Sequence, residues 1–325
     1  MVLAHLTRHW LARRHYPAAS WLACIVRSLR VLLFYREHAR LLAMDIYRHY
    51  LTHAHDDVFH HLSHRDYLTK GLGLRQRVRC VFTHYRYEDA TFDGAYKQAV
   101  YRDGGLVLWR HDVDGVHCEI NLAMACRLNA EGDLTLTLLA AGDRLHRLSF
   151  SWVDGRFAGV DAPMLPLVAR NQGHRADAAD AFDAFERAFP NNSPSFFCFA
   201  ALQGIAQALG MHQVVAVKSD WQCARDAADQ QHFANAYDGF WRILGGEPLA
   251  GRGWRIALPF HTKPLVEMPS KHRKRAALRR AHWHAIGASA QATLRRHMVH
   301  ARADVDAAAG AHADTEALAG AGCNT

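Results

Sequence analysis

Apolar residues recur at helical spacing through the first 70 residues of the chain. Over residues 21–35 they fall three and four positions apart, with Arg27 and Arg30 on another face. Residues 41–62 contain neither Pro nor Gly, and their apolar side chains again share one face. This pattern predicts a helical N-terminal region over residues 1–70.

The period of the pattern changes from helical to alternating at about Leu74. Large apolar and small polar residues then alternate, as in half-buried strands. We predict strands that share one sheet near 134–139, 145–153, 164–169 and 214–218. Helices are predicted over 177–189, 194–209 and 232–244 and after Pro269, with a further strand over 254–260. The expected fold is α+β, with N-terminal helices packed on a mixed β-sheet.

The length of 325 residues allows one large domain or two modest ones. The pattern divides the chain into a basic helical region over 1–70 and an α+β core over 71–300 that ends in a basic helix. Residues 301–325 contain ten Ala and three Gly without apolar periodicity, so a disordered tail is predicted.

The net charge of +8 is unevenly distributed along the chain. Residues 1–48 carry a net charge of +6, residues 270–300 carry +8, and the remainder is acidic. Basic ends of this kind suit an anionic membrane surface or an acidic ligand as partner, and solvated helix faces explain them equally well. No sequence-specific binding of nucleic acid is expected.

The seven cysteines are odd in number, scattered and without a C-x-x-C pair. This usage predicts reduced thiols in a cytoplasmic protein rather than a disulfide framework. Charged residues interrupt every long apolar run, so neither a membrane-spanning helix nor a secretory signal is expected.

The 24 histidines include a stripe at helical spacing, for which a metal site and a solvated helix face are the two interpretations. The stripe lies opposite the apolar face of its predicted helix, and no paired cysteines or HExxH motif accompany it. A solvated helix face is therefore favoured, and no metal is expected. The stripe consists of His49, His53, Asp57, His60 and His64.

Common catalytic motifs are absent: the sequence has no nucleophile elbow, no Walker loop and no G-x-G-x-x-G. Asp112 and Asp114 form either a carboxylate pair or a turn with Gly115, and the turn is favoured. The segment 170–175 follows an apolar strand and precedes a predicted helix. Arg170, Gln172 and Gly173 are therefore candidate ligands for an anionic phosphate at a strand-to-helix turn.

The ordered set of short motifs resembles the VirK/YbjX family of Gram-negative bacteria over roughly residues 20–295. The chain departs from the family at His272, where a second Lys is usual. The matching motifs are Val26-Arg-Ser-Leu29, His49-Tyr50, Glu131-Gly-Asp-Leu-Thr-Leu136, Leu148-Ser-Phe-Ser151, Gln172-Gly173, Ser193-Pro194, Val214-Val-Ala-Val-Lys218, Tyr237-Asp-Gly-Phe-Trp241, Leu244-Gly-Gly246, Leu258-Pro259, Ser270-Lys-His-Arg-Lys-Arg275 and Arg279-Arg280. This resemblance implies a role in virulence, envelope integrity and resistance to cationic antimicrobial peptides, without a settled reaction.

Two hypotheses about the biochemical role follow. The element order is similar to that of GNAT acyltransferases, which implies an acyl-CoA donor bound at Arg170, Gln172 and Gly173. Trp241 stands where those enzymes carry a tyrosine acid, so Tyr237, one turn earlier, is the candidate catalytic residue.

The second hypothesis is a non-enzymatic protein that is peripheral to the inner membrane, based on the two basic terminal regions and on the apolar and basic helix over 21–35. The alternative for that helix is that its apolar face packs on the domain. The candidate anion-binding residues of this second hypothesis are Lys271, Arg273, Lys274, Arg275, Arg279 and Arg280.

Overall fold

The computed structural model describes residues 17–29, 33–51, 66–125, 131–173, 178–224 and 234–299, together with residues 10, 13 and 62. Within them the fold is α+β, with helices packed on one eight-stranded mixed sheet, as the sequence predicts. The predicted tail at 301–325 lies outside the described residues.

The helices that precede the sheet differ from the sequence prediction in one respect: the continuous helix expected over 41–62 is broken. Asp89 supplies the reason, because its carboxylate accepts hydrogen bonds from the backbone N–H groups of Asp45 (3.1 Å) and Ile46 (3.3 Å). These donors leave the α-helical ladder, and a π-helical turn, Ile46–Tyr50, follows. The helices here are α1 (Ala18–Leu29), α2 (Tyr35–Ala43), α3 (Leu74–Thr91) and α4 (Gly94–Tyr101).

The change of period that the sequence places at Leu74 is wrong. α3 begins at that residue, α4 follows, and the first strand starts only at Leu106. The buried face of α3 contains His84 and Glu88 beside its apolar residues. A helix that buries polar side chains carries no clean apolar stripe, so its period is hidden in the sequence.

The sheet has the strand order β1-β2-β3-β4-β5-β6-β8-β7, and every neighbouring pair except β5 and β6 is antiparallel. It contains the four strands predicted to share one sheet, with β5 longer than expected. The strands are β1 (Leu106–Val113), β2 (Val116–Met124), β3 (Leu134–Ala140), β4 (Asp143–Val153), β5 (Leu165–Gly173), β6 (Gln213–Val217), β7 (Glu247–Pro248) and β8 (Gly253–Ala257).

The first hairpin confirms the turn predicted at Asp112 to Gly115. Val113 pairs with Val116, and the two residues between them have positive φ, 49° at Asp114 and 77° at Gly115. Such a two-residue turn matches the twist of the strands that it joins. Asp114 therefore lies in the turn itself, and Asp112 lies in β1 directly before it.

Helices cover both faces of the central strands. Consecutive residues are buried along β4 from Leu148 to Val153 and along β5 from Leu165 to Asn171, so side chains of both parities are shielded. α3 contacts β4, whereas α6 and α7 both contact β3 and β4, and α9 packs against α7. These later helices are α5 (Gly155–Ala158), α6 (Ala179–Ala188), α7 (Pro194–Ala208), α8 (Phe240–Ile243) and α9 (Ser270–Arg295).

The predicted helices over 177–189 and 194–209 are confirmed as α6 and α7. The helix predicted over 232–244 is a π-helical turn, Asn235–Gly239, that leads directly into α8. The basic helix after Pro269 is α9.

Candidate functional site

The parallel strands β5 and β6 separate soon after they meet. They pair only at Leu167 with Val215 and at Val168 with Ala216. Beyond these pairs β5 continues to Gly173, while β6 ends at Val217. The carboxyl ends of neighbouring parallel strands in open sheets are a common place for ligands to bind.

The π-helical turn Asn235–Gly239 and the start of α8 bridge the separated strands. The Tyr237 hydroxyl accepts a hydrogen bond from the backbone N–H of Asn171 in β5 (3.1 Å). The Trp241 indole N–H donates to the carbonyl of Val217 in β6 (3.0 Å). Two side chains one turn apart thus satisfy backbone groups that continued strand pairing would otherwise occupy.

Asp238 fixes the same turn to the far strands. Its Oδ1 accepts a hydrogen bond from the Trp254 indole in β8 (2.7 Å) and one from the Ser219 backbone N–H (3.2 Å), and its Oδ2 accepts one from the Ser219 hydroxyl. The segment that carries Tyr237 is therefore held by β5, β6 and β8 together.

A buried ion pair lies beside this turn. Arg170 Nη1 is 2.9 Å from Glu131 Oε2, and the Gln222 amide donates to the other oxygen of Glu131. Burial raises the pKa of Glu131, and the charge of Arg170 opposes that shift. Arg170 Nε is buried without a hydrogen-bond partner among the described residues. Buried polar groups are nearly always paired in folded proteins, so this unsatisfied donor makes the position a candidate for contact with a ligand.

His146 supports Asn171 from the neighbouring strand. His146 Nε2 lies 2.8 Å from Asn171 Oδ1, and the Asn171 amide donates to the carbonyl of Ala236 (2.8 Å). Burial lowers the pKa of His146 to about 4, so the ring is neutral at neutral pH and Nε2 is assigned as the donor. The network holds the backbone of β5 in register with the π-helical turn.

The sequence prediction of a turn at Arg170 is wrong, because β5 continues through Gly173. The cause is pairing with β4, which places Arg170 opposite Ser149 and Gly173 opposite His146. A Cβ on Gly173 would lie 2.9 Å from His146 Nδ1, so the close approach of His146 accounts for this glycine. The role of Arg170, Gln172 and Gly173 in holding acyl-CoA stays a prediction.

The structure brings the candidate catalytic residue next to these three residues. Burial raises the pKa of Tyr237 far above its ordinary value, and hydrogen bonds from Asn171 and Gln172 partly oppose that shift. The phenol therefore keeps its proton throughout the physiological range, as a proton donor requires. A catalytic role for Tyr237 also remains a prediction.

The sequence reasoning missed four members of this cluster. Glu131 and Asn171 stood inside quoted motifs, but neither had a chemical partner in the sequence. His146 and Gln222 carry no local signal, because their partners are 25 and 91 residues away.

The six candidate anion-binding residues of α9 fall into two groups. Four arginines donate to nearby oxygen atoms: Arg273 to the carbonyls of Met268 (2.9 Å) and Val266 (3.0 Å), Arg275 to Asn191 Oδ1 (3.5 Å), Arg279 to the carbonyl of Asn191 (3.4 Å), and Arg280 to the carbonyl of Lys263. Lys271 and Lys274 are exposed on the first turns of the helix. Arg273 and Arg275 are exposed as well, but their guanidinium groups are engaged in these hydrogen bonds.

The described residues contain no group of three or more His, Cys, Asp or Glu side chains placed to hold a metal ion. Of the histidine stripe, only His49 lies within them, and its Nε2 is 3.7 Å from Asp45. His53, Asp57, His60 and His64 lie outside the described residues. No helix among the described residues combines the length and apolar character needed to cross a membrane.

Comparison with known proteins places the chain in a family. A family model described as "Protein of unknown function (DUF535)" matches residues 24–286, about four-fifths of the chain, and this family includes the VirK/YbjX proteins. No curated protein and no solved structure matches the chain significantly. The match spans the helices from within α1 to within α9 and every strand of the sheet. The chain therefore belongs to the DUF535 family.

Proposed function

We propose that the protein transfers an acyl group from an acyl-CoA donor at the place where β5 and β6 separate. The observation that carries this proposal is that β5 and β6 pair at only two positions, with the Tyr237 hydroxyl bound to a backbone group in the gap. The reaction would serve the envelope integrity and resistance to cationic peptides that the VirK/YbjX resemblance implies.

Arg170 is the residue best suited to meet the anionic part of the donor. Its guanidinium is neutralised on one side by Glu131, and its Nε has no hydrogen-bond partner among the described residues. Charge-assisted hydrogen bonds to phosphate oxygens are among the stronger polar contacts in proteins. Gln172, which is half-buried at the end of β5, adds an amide donor on the same strand.

Tyr237 supplies the proton for the leaving group. When an amine attacks the thioester carbonyl, a C–N bond forms, the C–S bond breaks, and sulfur leaves as a thiolate that takes the Tyr237 hydroxyl proton. The proton that the amine nitrogen loses then restores the phenol. A positioned acid of this kind contributes roughly 10²- to 10⁴-fold to the rate.

Calorimetry with acetyl-CoA, paired with an assay for release of the free thiol, tests the proposal. Tyr237→Phe should bind acetyl-CoA as the wild type does and lose thiol release by about 10²-fold or more. Gln172→Glu places a negative charge at the end of β5 and should weaken binding. Gln207→Glu, at a half-buried glutamine in the last turn of α7, is the matched control and should leave binding unchanged.

Two results contradict the proposal. The first is the absence of a heat of binding for the folded wild type at millimolar acetyl-CoA, and the second is release of thiol by Tyr237→Phe at the wild-type rate. Because Tyr237→Phe also removes the acceptor for the Asn171 N–H, the variant must first show a cooperative thermal transition close to that of the wild type.

A second candidate function is a non-catalytic one, peripheral association with an anionic membrane. The observation that favours it is the exposure of Lys271 and Lys274 on the first turns of α9, beside the exposed apolar side chains of Val266 and Leu278. Lysines near an anionic leaflet contribute roughly 1 kcal/mol each to binding. Sedimentation with vesicles of phosphatidylglycerol and phosphatidylcholine, at low and high salt, tests this function, and salt-independent recovery in the supernatant would contradict it.

A further inference from the structure

Exposed apolar side chains are concentrated in one stretch of the sequence. Seven of the twelve large apolar side chains that are exposed among the described residues belong to residues 10–42. Together we call them the N-terminal apolar surface. It consists of Trp10, Leu22, Val26, Leu29, Leu33, Tyr35 and Leu42.

The core of this surface is a stripe along α1. Leu22, Val26 and Leu29 are spaced four and three residues apart, so they share one face of the helix. Their exposed fractions are 57%, 55% and 42%, and Leu33, which follows, is 79% exposed. The face that an amphipathic helix normally buries against its own domain is open to solvent here, which marks it as a contact surface for something else.

Positively charged residues accompany the stripe in the sequence. Arg36 and Arg40 are exposed on α2, and the Arg13 guanidinium stacks 3.7 Å from the centre of the Trp10 ring. Residues 1–48 carry a net charge of +6. A second copy of the chain docked on this surface would bring two such regions together, at an electrostatic cost. An anionic lipid surface offers both an apolar interior and compensating charge.

We infer that the N-terminal apolar surface enters the interfacial layer of an anionic bilayer, with the apolar stripe of α1 in contact with acyl chains. The arginines of α2 then contact lipid headgroups. This inference rests on the second candidate function and extends it, because it adds the apolar face of α1 to the lysines of α9 as a membrane contact. The helix lies on the membrane and does not cross it.

The experiment compares three forms of the full chain by sedimentation with vesicles of phosphatidylglycerol and phosphatidylcholine in equal parts. The variant Leu22→Gln/Val26→Gln/Leu29→Gln removes the apolar stripe without a change of charge. Because those side chains are already exposed, its thermal unfolding should match that of the wild type. Its partition onto the vesicles should fall by about tenfold or more. Ile243→Gln, a 62% exposed apolar residue at the end of α8, is the control and should partition like the wild type.

The outcomes separate this inference from the function on which it rests. Binding of the wild type and loss of binding by the stripe variant support it. Equal binding by the two forms overturns the role of α1 and leaves peripheral association through α9 intact. No binding by the wild type overturns both. If light scattering shows a dimeric wild type and a stripe variant that is no longer dimeric, the surface is assigned to contact with a second copy. That result also overturns the inference.

Discussion

Arg170 Nη1 lies 2.9 Å from Glu131 Oε2, and no more than one-tenth of either side chain is exposed. Glu131→Ala should destabilise the protein by about 3–5 kcal/mol, because it leaves a buried guanidinium without its counter-charge. The double variant Glu131→Ala/Arg170→Met should lose less, since no charge is then left unpaired. Urea unfolding of both variants measures the difference, and a double variant that is destabilised at least as much as Glu131→Ala would contradict it.

The pH dependence of stability should reveal the buried carboxyl group of Glu88. Burial raises its pKa from 4.5 to about 7, although Trp152 (2.5 Å), Tyr101 (3.0 Å) and Tyr96 (3.3 Å) all donate hydrogen bonds to it. Between these two values the native state holds a proton that the unfolded chain has lost. The free energy of unfolding should therefore fall as pH rises through this window, by about 3 kcal/mol in total.

Glu88→Gln isolates this effect from that of other groups. His146 acts in the opposite direction, because its pKa is lowered in the folded state and its contribution to stability is lost as pH falls below about 6.5. The difference in unfolding free energy between wild type and Glu88→Gln cancels the His146 contribution. That difference should change steadily between pH 4.5 and 7, and a constant difference would rule out the buried titration.

The contact between α7 and α9 depends on Gly204. A Cβ at this position would lie 2.1 Å from the carbonyl oxygen of Gly287, so the two helices could not keep their approach. Gly204→Ala should cost about 1–3 kcal/mol of unfolding free energy. Gly287→Ala is the matched comparison and should cost less, because its Cβ would lie 3.3 Å from the Ala200 oxygen. Equal thermal shifts for the two variants would contradict this account.

Replacing the lysines of α9 should affect vesicle binding, whereas replacing Arg273 should affect the free energy of unfolding. Lys271→Ser/Lys274→Ser should lower sedimentation with anionic vesicles and leave the unfolding free energy unchanged. Arg273→Ala should lower the unfolding free energy by about 1 kcal/mol, because its guanidinium holds the Val266 and Met268 carbonyls before the helix. Paired vesicle and urea measurements decide the matter. A stable arginine variant that loses vesicle binding would reverse the assignment.

The local pattern of the sequence is sufficient for most elements from β3 onward. Alternation along β3 and β4 and helical spacing along α7 are patterns within single elements. The end of α7 just before Gly210, whose φ is 69°, is likewise a local feature of the sequence. These signals come from residues that are close together in the sequence, so a single sequence reveals them.

Tertiary contacts decided the elements for which prediction was wrong. The Asp89 carboxylate takes backbone donors from the chain around Asp45, 44 residues away, and the expected long helix gives way to a π-helical turn. β4 pairs with Gly173 at His146, and the expected turn becomes strand. In both cases a residue distant in sequence supplies the hydrogen bonds that decide the local structure. The local propensity of the chain does not predict that partner.

The candidate site shows the same division. The sequence alone singled out Arg170, Gln172, Gly173 and Tyr237, from a strand that runs into a glycine and from a resemblance. Only the tertiary structure brought Glu131, His146 and Gln222 to them, because the parallel strands separate and the long-range side chains fill the gap. The sequence by itself determined which residues carry charge and which faces are apolar. Folding decided which charges are paired inside the protein, and it left the apolar stripe of α1 exposed to solvent.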